Sequence, residues 1–205
     1  MSVVDMCRWI VLLIIFGSVK GLRVAGLSLG RPSWVGGSYL ALYKEDHTGP
    51  SPAWNSTAMV KHASLLYASF KAKTGRDLCK CSNEPRLRAE DIFKADFILL
   101  SHGIQPNPVL NYANERGLEL WGATWEQLTC MPSRQTAEPG LDTEERAEFM
   151  HQVSEFGVVE GYNGVRISAD GTRRFKIKDA VVWNVHNDAD ELIGQAATFK
   201  EVEPL

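Results

Sequence analysis

Residues 101–128 read SHGIQPNPVLNYANERGLELWGATWEQL, and the order of elements within them decides the fold. Ser101 and His102 follow the apolar run "FILL" (97–100), which has the length of a short strand. After Pro106 and Pro108, "NPVLNY" (107–112) reads as a second, neighbouring strand. "ANERGLELWG" (113–122) and "TWEQL" (124–128) then read as two short helices, the second capped by Thr124 with Gln127 completing a capping box. The adjacent Ser101 and His102 invite a hydrolytic reading, but neighbouring strand residues point to opposite faces and cannot form one catalytic pair. A nucleophile elbow also needs glycines on both sides of the serine at a strand-to-helix turn. Only Gly103 is present, and the two prolines prevent a helix from starting at once. A small hydrolase using Ser101 with a remote histidine, His151 or His186, is the alternative; the default is that Ser101 and His102 end a strand and bond a neighbouring loop.

Upstream, "NSTAMVKHASLLYASFKAKTG" (55–75) reads as a helix. Ser56 or Thr57 caps it, Met59, Leu65, Leu66 and Phe70 recur at helical spacing, and Gly75 ends it. "CSNEPRLRAEDIF" (81–93) reads as a loop with a short helical turn, and "SRQTAEPG" (133–140) as a loop. "DTEERAEFMHQVSEFG" (142–157) is a helix, capped by Asp142 or Thr143 with acids in its first turn, an apolar stripe of Phe149, Val153 and Phe156, and Gly157 at its end. The last third is strand. "VVEGYNGVRIS" leads into the hairpin-type turn Ala169-Asp170-Gly171. "RRFKIKDAVVWNV" alternates so that Phe175, Ile177, Val181, Trp183 and Val185 share one face, with Asp179 the exception, and "LIGQAATFKEV" returns the chain. Strands grouped in this way, rather than alternating with helices, predict an α+β fold with an antiparallel sheet and helices on one face, preceded by an N-terminal helix.

The 205 residues suffice for one domain plus an extension. The apolar share of 44% predicts an ordinary core, and the net charge of −3 hides an uneven distribution. Residues 1–44 carry +4, whereas from residue 51 onward 17 basic residues face 22 acidic ones. A mildly acidic body with no basic stripe argues against nucleic-acid binding. Trp9 to Phe16 form an eight-residue apolar run after Arg8, followed by Gly17, Ser18 and Gly21. That run is too short to span a bilayer but fits a signal-peptide core, so residues 1–21 read as a leader. Residues 22–50, acid-poor with Arg and Ser, read as a transit-like segment or a flexible linker. The expectation is entry into the secretory pathway, then a plastid through a two-part presequence or a lumenal or secreted destination, with no membrane attachment once the leader is removed. "GPSPAW" (49–54) marks the boundary to a domain at 52–205, and Asn55 begins a glycosylation sequon. Cys79, Cys81 and Cys130 do not form a framework in the body, and "CKC" lacks a second ligand pair for zinc; simple thiols and no metal are expected.

Several phrases carry a resemblance. "VLNYANERGLELWGATWEQL" and "SADGTRRFKI" resemble PAS stretches. The closer similarity is to the MEKHLA domain, a PAS-related module found at the end of plant class III homeodomain–leucine-zipper proteins and as stand-alone bacterial and algal proteins. "MVKHAS" (59–64) keeps Met, Lys and His of the naming hexapeptide, with Val60 for Glu and Ala63-Ser64 for Leu-Ala. "LSHG", "NYAN", "LELW", "PSR" with "TAEP", "YNGVRIS", "RRFKI", "VVWN" and "GQAATF" follow in family order over about residues 56–201. The resemblance implies a PAS-like sensing or association module, without an established reaction, and no catalysis is expected. No homeodomain or zipper precedes it here, so a transcription-factor role does not carry over.

PAS-like folds hold ligands between the helices and the concave face of the sheet. On that basis Asn111, Tyr112, Asn114, Trp121, Arg134, Arg166, Trp183 and Gln195 are candidate ligand-binding residues, the two arginines suiting an anion. Trp121 and Trp183 also read as core, and Asn111 or Asn114 as a turn stabiliser. Flavin photochemistry of the light-sensing PAS type is disfavoured: Pro132 stands where that type has its cysteine, Cys130 falls two residues early, and Gln195, directly after Gly194, is expected to face away from the ligand. His151 is a weak candidate for a haem ligand and a better one for the surface. No cofactor can be named. A small molecule is one candidate partner; a second copy, pairing through the 56–74 helix if its apolar stripe lacks an internal home, is the other.

Overall fold

A computed structural model describes residues 53–137 and 144–205. The leader, the 22–50 segment and the capping residues Asp142 and Thr143 lie outside the described residues. Helix α1 (Thr57–Thr74) is capped by the Ser56 hydroxyl, which accepts from Met59 N–H, and ended by Gly75 at φ 71°. Helix α2 (Pro85–Phe93) follows; it is nine residues long, where the sequence reading has only a helical turn. Pro85 supplies a preset φ at its first position, and the Glu84 carboxylate accepts from the N–H groups of Arg86 and Leu87. Strands β1 (Ile98–Gly103) and β2 (Leu110–Ala113), then helices α3 (Glu115–Trp121) and α4 (Trp125–Leu128), come in the expected order, and both halves of the Thr124–Gln127 capping box form. Residues Ser133–Thr136 make a single 3-10 turn. Helix α5 (Glu144–Phe156) leads through Gly157 into β3 (Val158–Ile167), β4 (Arg174–His186), β5 (Leu192–Phe199) and β6 (Glu201–Pro204).

The strands form one antiparallel sheet in the order β2-β1-β5-β4-β3, with β6 continuing beside the first half of β4. The expected α+β fold with an antiparallel sheet is the one the chain adopts. Its sheet is covered on both faces. Helices α3 and α5 lie on one, where Trp121 packs with Ile98, Leu100, Phe175, Ile177 and Phe199. Helices α1 and α2 cover the other, where Met59, Ala63, Leu66, Phe70 and Ile92 meet Leu99, Trp183 and Val185. The apolar stripe of α1 thus has an internal home, which removes the premise on which the sequence reading rested a dimer through this helix.

Three details correct the sequence reading. Phe175 and Ile177 do not share a face with Trp183 and Val185. Asp179 adopts φ 49°, and between Ile177 and Ala180 strand β4 spends one residue more than its partner β3 does between Gly164 and Tyr162. Such a bulge reverses the alternation, so Ala180 continues the face of Ile177 while Trp183 turns to α1. Second, Phe156 leaves the α5 stripe and is 66% exposed, although Val153 is fully buried. Gly157, at φ 79°, turns the chain straight into β3, so the sheet takes over before it can cover Phe156. Third, Cys79 and Cys81 form a disulfide rather than two thiols; with only Lys80 between them, their Cα atoms stand 5.3 Å apart, within the span of such a bond.

Candidate functional site

Between the sheet and the α3–α5 layer lies a cavity of about 580 Å³, walled mainly by apolar residues such as Leu100, Leu110, Ile177, Val182 and Phe199. That volume lies within the range of small-molecule sites. One end is polar. On β3 the residues Tyr162, Gly164 and Arg166 share a face by strand alternation. The Arg166 guanidinium lies 5.3 Å from the centre of the Tyr162 ring and donates to the Tyr162 hydroxyl at 2.9 Å and to Val165 O at 2.9 Å. Gly164 makes this closure feasible: a Cβ there would stand 2.7 Å from the Tyr162 hydroxyl and 3.0 Å from an Arg166 nitrogen. Phe149 of α5 packs on Tyr162 with ring centres 4.2 Å apart and planes tilted by 41°. The 3-10 turn brings Arg134 to the same end, because Ala137 bridges the backbone of Arg166. Trp121 closes the floor, and its indole N–H is buried without an acceptor among the described residues. The opposite end is rimmed by the 103–108 loop and by Leu192, with Ile104 and Leu192 exposed.

Of the eight candidate residues, Trp121, Arg134, Arg166 and Gln195 line this cavity and the other four do not. Gln195 corrects its own expectation: it reaches the cavity wall and donates to Asn184 Oδ1 at 3.1 Å, while Asn184 donates to Val153 O and so ties α5 to the sheet. From Gly194 to Thr198 the pairing with β4 is regular, so Gln195 shares a face with Ala197 and Phe199 by ordinary alternation. Trp183 faces α1 because of the Asp179 bulge. Tyr112 also belongs to the α1 side, against His62 and Trp125, and burial pushes its phenol pKa upward. Asn114 is a buried helix cap and Asn111 a strand partner. Cys130 is exposed and does not line the cavity. His151 is exposed beside Glu155, 3.8 Å away. The sequence reading missed Tyr162 and Phe149; the period-two spacing of Tyr162, Gly164 and Arg166 was the available signal.

The histidine that meets Ser101 is neither His151 nor His186 but His62 of α1. Its Nε2 lies 2.9 Å from Ser101 Oγ, which donates to Asn111 Oδ1 at 2.6 Å. With that proton committed to Asn111, the His62 Nε2–H is the donor to Oγ, the reverse of what a general base requires. Ser101 is only 2% exposed, and burial pushes His62 down to about 4, which makes it a weak base. As expected from strand alternation, His102 points the other way and lines the cavity. The Ser101 trio is a polar bridge from α1 through β1 to β2.

A pH dependence follows. Unfolded, His62 titrates near 6.5; folded, near 4. Below pH 6.5 the unfolded chain binds a proton that the folded protein does not, so His62 lowers stability progressively from pH 6.5 to about 4, with a plateau beneath. The total is about 3 kcal/mol. Urea denaturation at intervals between pH 7.5 and 4 should show this decline, flattened in His62→Asn; equal slopes for the two proteins would contradict it.

Sequence comparison decides the family. The MEKHLA domain matches residues 60–204. The chain belongs to the MEKHLA family. Similar solved structures include the PAS domain of a protein from Colwellia psychrerythraea, at 16% identity and TM-score 0.47, with 58% of this chain and 93% of that one covered. An RNA-binding light-oxygen-voltage receptor is 18% identical at TM-score 0.48, over 56% of this chain and 32% of that one. The light-oxygen-voltage protein of Rhodobacter sphaeroides is 15% identical at TM-score 0.45, over 56% and 62%. No curated protein matches the sequence. Among the described residues of this MEKHLA domain, no helix is long and apolar enough to cross a membrane.

Proposed function

We propose that this MEKHLA protein is a regulatory sensor module that takes a small organic ligand into the cavity between the sheet and helices α3 and α5. The observation that carries the reading is the cavity itself. The opposite face of the same sheet is filled by side chains from α1 and α2, whereas this one leaves about 580 Å³ beside a few directed polar groups. Catalysis has no support in the Ser101 bridge, whose hydroxyl is buried and whose histidine is a donor.

The test fills the cavity from the sheet side. Ala197 lines it and projects a single methyl, so Ala197→Trp should occupy the space a ligand needs. In a thermal-shift screen of a small-molecule library on the full-length chain, true ligands raise the melting temperature of the wild type and leave Ala197→Trp unmoved. A ligand at 100 times its Kd contributes about 2.7 kcal/mol. A screen in which no compound separates the two proteins would count against a ligand-binding role.

A further inference from the structure

We infer that the cavity is built for an organic carboxylate with an apolar body, its carboxylate seated on Arg166 with Arg134 at the entrance. This inference rests on the cavity reading above and names the class of ligand. Two observations carry it. Arg134 and Arg166 are the cationic side chains among the described cavity-lining residues, and no aspartate or glutamate stands among those residues. A cavity with charge of one sign and mostly hydrocarbon walls favours a ligand carrying one opposite charge on a hydrophobic frame.

The second observation is the state of Arg166. A guanidinium has five N–H donors, and the bonds to Val165 O and Tyr162 hydroxyl use two. Those bonds and the contact with the Tyr162 ring fix the plane of the fork, while three donors remain, enough for a bidentate carboxylate. Fixing the side chain in advance removes part of the ordering cost of binding. Arg134 is exposed, so it draws the anion inward and adds less to its retention.

The test uses isothermal titration of the full-length chain with decanoate, dodecanoate and 4-phenylbenzoate, each against the primary amide of the same skeleton. The carboxylates should bind at least 10-fold more tightly than their amides. Arg166→Gln should weaken the carboxylates by about 10- to 100-fold and leave the amides unchanged. Arg166→Lys, which keeps the charge but not the fork, should fall between. Gly164→Ala tests the seat without touching any charge: its methyl displaces the Tyr162 hydroxyl and Arg166, and the carboxylate preference should shrink. If Arg166→Gln does not fold, as judged by circular dichroism, the lysine and alanine variants decide. Equal affinity for acids and amides would overturn the carboxylate inference and leave the cavity reading standing. Binding by neither series would overturn both. A carboxylate preference that survives in Arg166→Gln and Gly164→Ala would remove Arg166 from the site.

Discussion

Trp183→Ala should destabilise the domain by about 3–5 kcal/mol, the range for truncating a buried aromatic residue. Trp183 is fully buried on the sheet face covered by α1, edge-on to Phe70 with ring centres 5.0 Å apart, and its strand neighbours are Val158 and Ala196. Ala196 has only a methyl with which to fill the space, and α1 is anchored along its length by Met59, Ala63, Leu66 and Phe70. The indole N–H makes no hydrogen bond among the described residues. Trp183→Phe therefore loses packing and no polar partner, and should cost less than half as much. Urea midpoints of the two variants measure the contrast. A loss within 1 kcal/mol of wild type for the alanine variant would mean that α1 does not seal this face. Because the cavity lies on the other side of the sheet, Trp183→Phe should also retain whatever ligand the wild type binds.

Asn114→Ala should cost about 4 kcal/mol, for a different reason. Asn114 is fully buried, and its side chain serves three main-chain groups at once. Oδ1 accepts from Leu99 N–H at 2.9 Å and from Gly117 N–H at 3.1 Å, and Nδ2 donates to Phe97 O at 2.6 Å. The start of β1, the end of β2 and the first turn of α3 meet in that one amide. Alanine leaves three buried groups without partners, each costing about 1–3 kcal/mol before relaxation, together with a lost helix cap. Asn114→Asp keeps both accepted bonds but places a carboxylate against the Phe97 carbonyl, so it should not rescue the loss. Asn111→Ala gives the comparison. Asn111 is half-buried and serves Ser101 alone, so its removal should cost about 1 kcal/mol. Similar losses for Asn111→Ala and Asn114→Ala in chemical denaturation would refute the assignment.

How much of this was legible beforehand depends on whether the signal is local. The Ser56-Thr57 pair and the Thr124–Gln127 box are legible as caps because a cap needs only residues two or three positions away, although the choice of Ser56 over Thr57 comes from the structure. Gly75 ends α1 for the same reason. The antiparallel order and the tight turn before β4 came from strand grouping and the Asp170-Gly171 pair. Helix α2 is under-read because its stabilising features, Pro85 at the first position and Glu84 before it, are equally at home in a loop.

The candidate site was half legible. Arg166 and Arg134 stood out as charges within family-like phrases, and both reach the cavity. Asn111, Tyr112 and Trp183 were chosen from phrases just as persuasive and belong to the other face of the sheet. The difference lies in bulges: one residue gained at Asp179 changes the side of everything after it, and the register shift between Ser101 and His102 does the same where β1 meets β2. No periodicity in the sequence announces such a slip, because its cause is the fit of one strand to its neighbour.

By itself, then, the sequence determined the class of fold, the family and the ends of helices α1 and α4. These rest on contacts a few residues apart and on motif order. The tertiary structure alone decided that His62 rather than His151 or His186 meets Ser101, that Gln195 faces inward, and that Tyr162 folds over Gly164 to hold Arg166. Each of these depends on which face a side chain takes or on a partner tens of residues away, and packing of the complete sheet against two helical layers sets both.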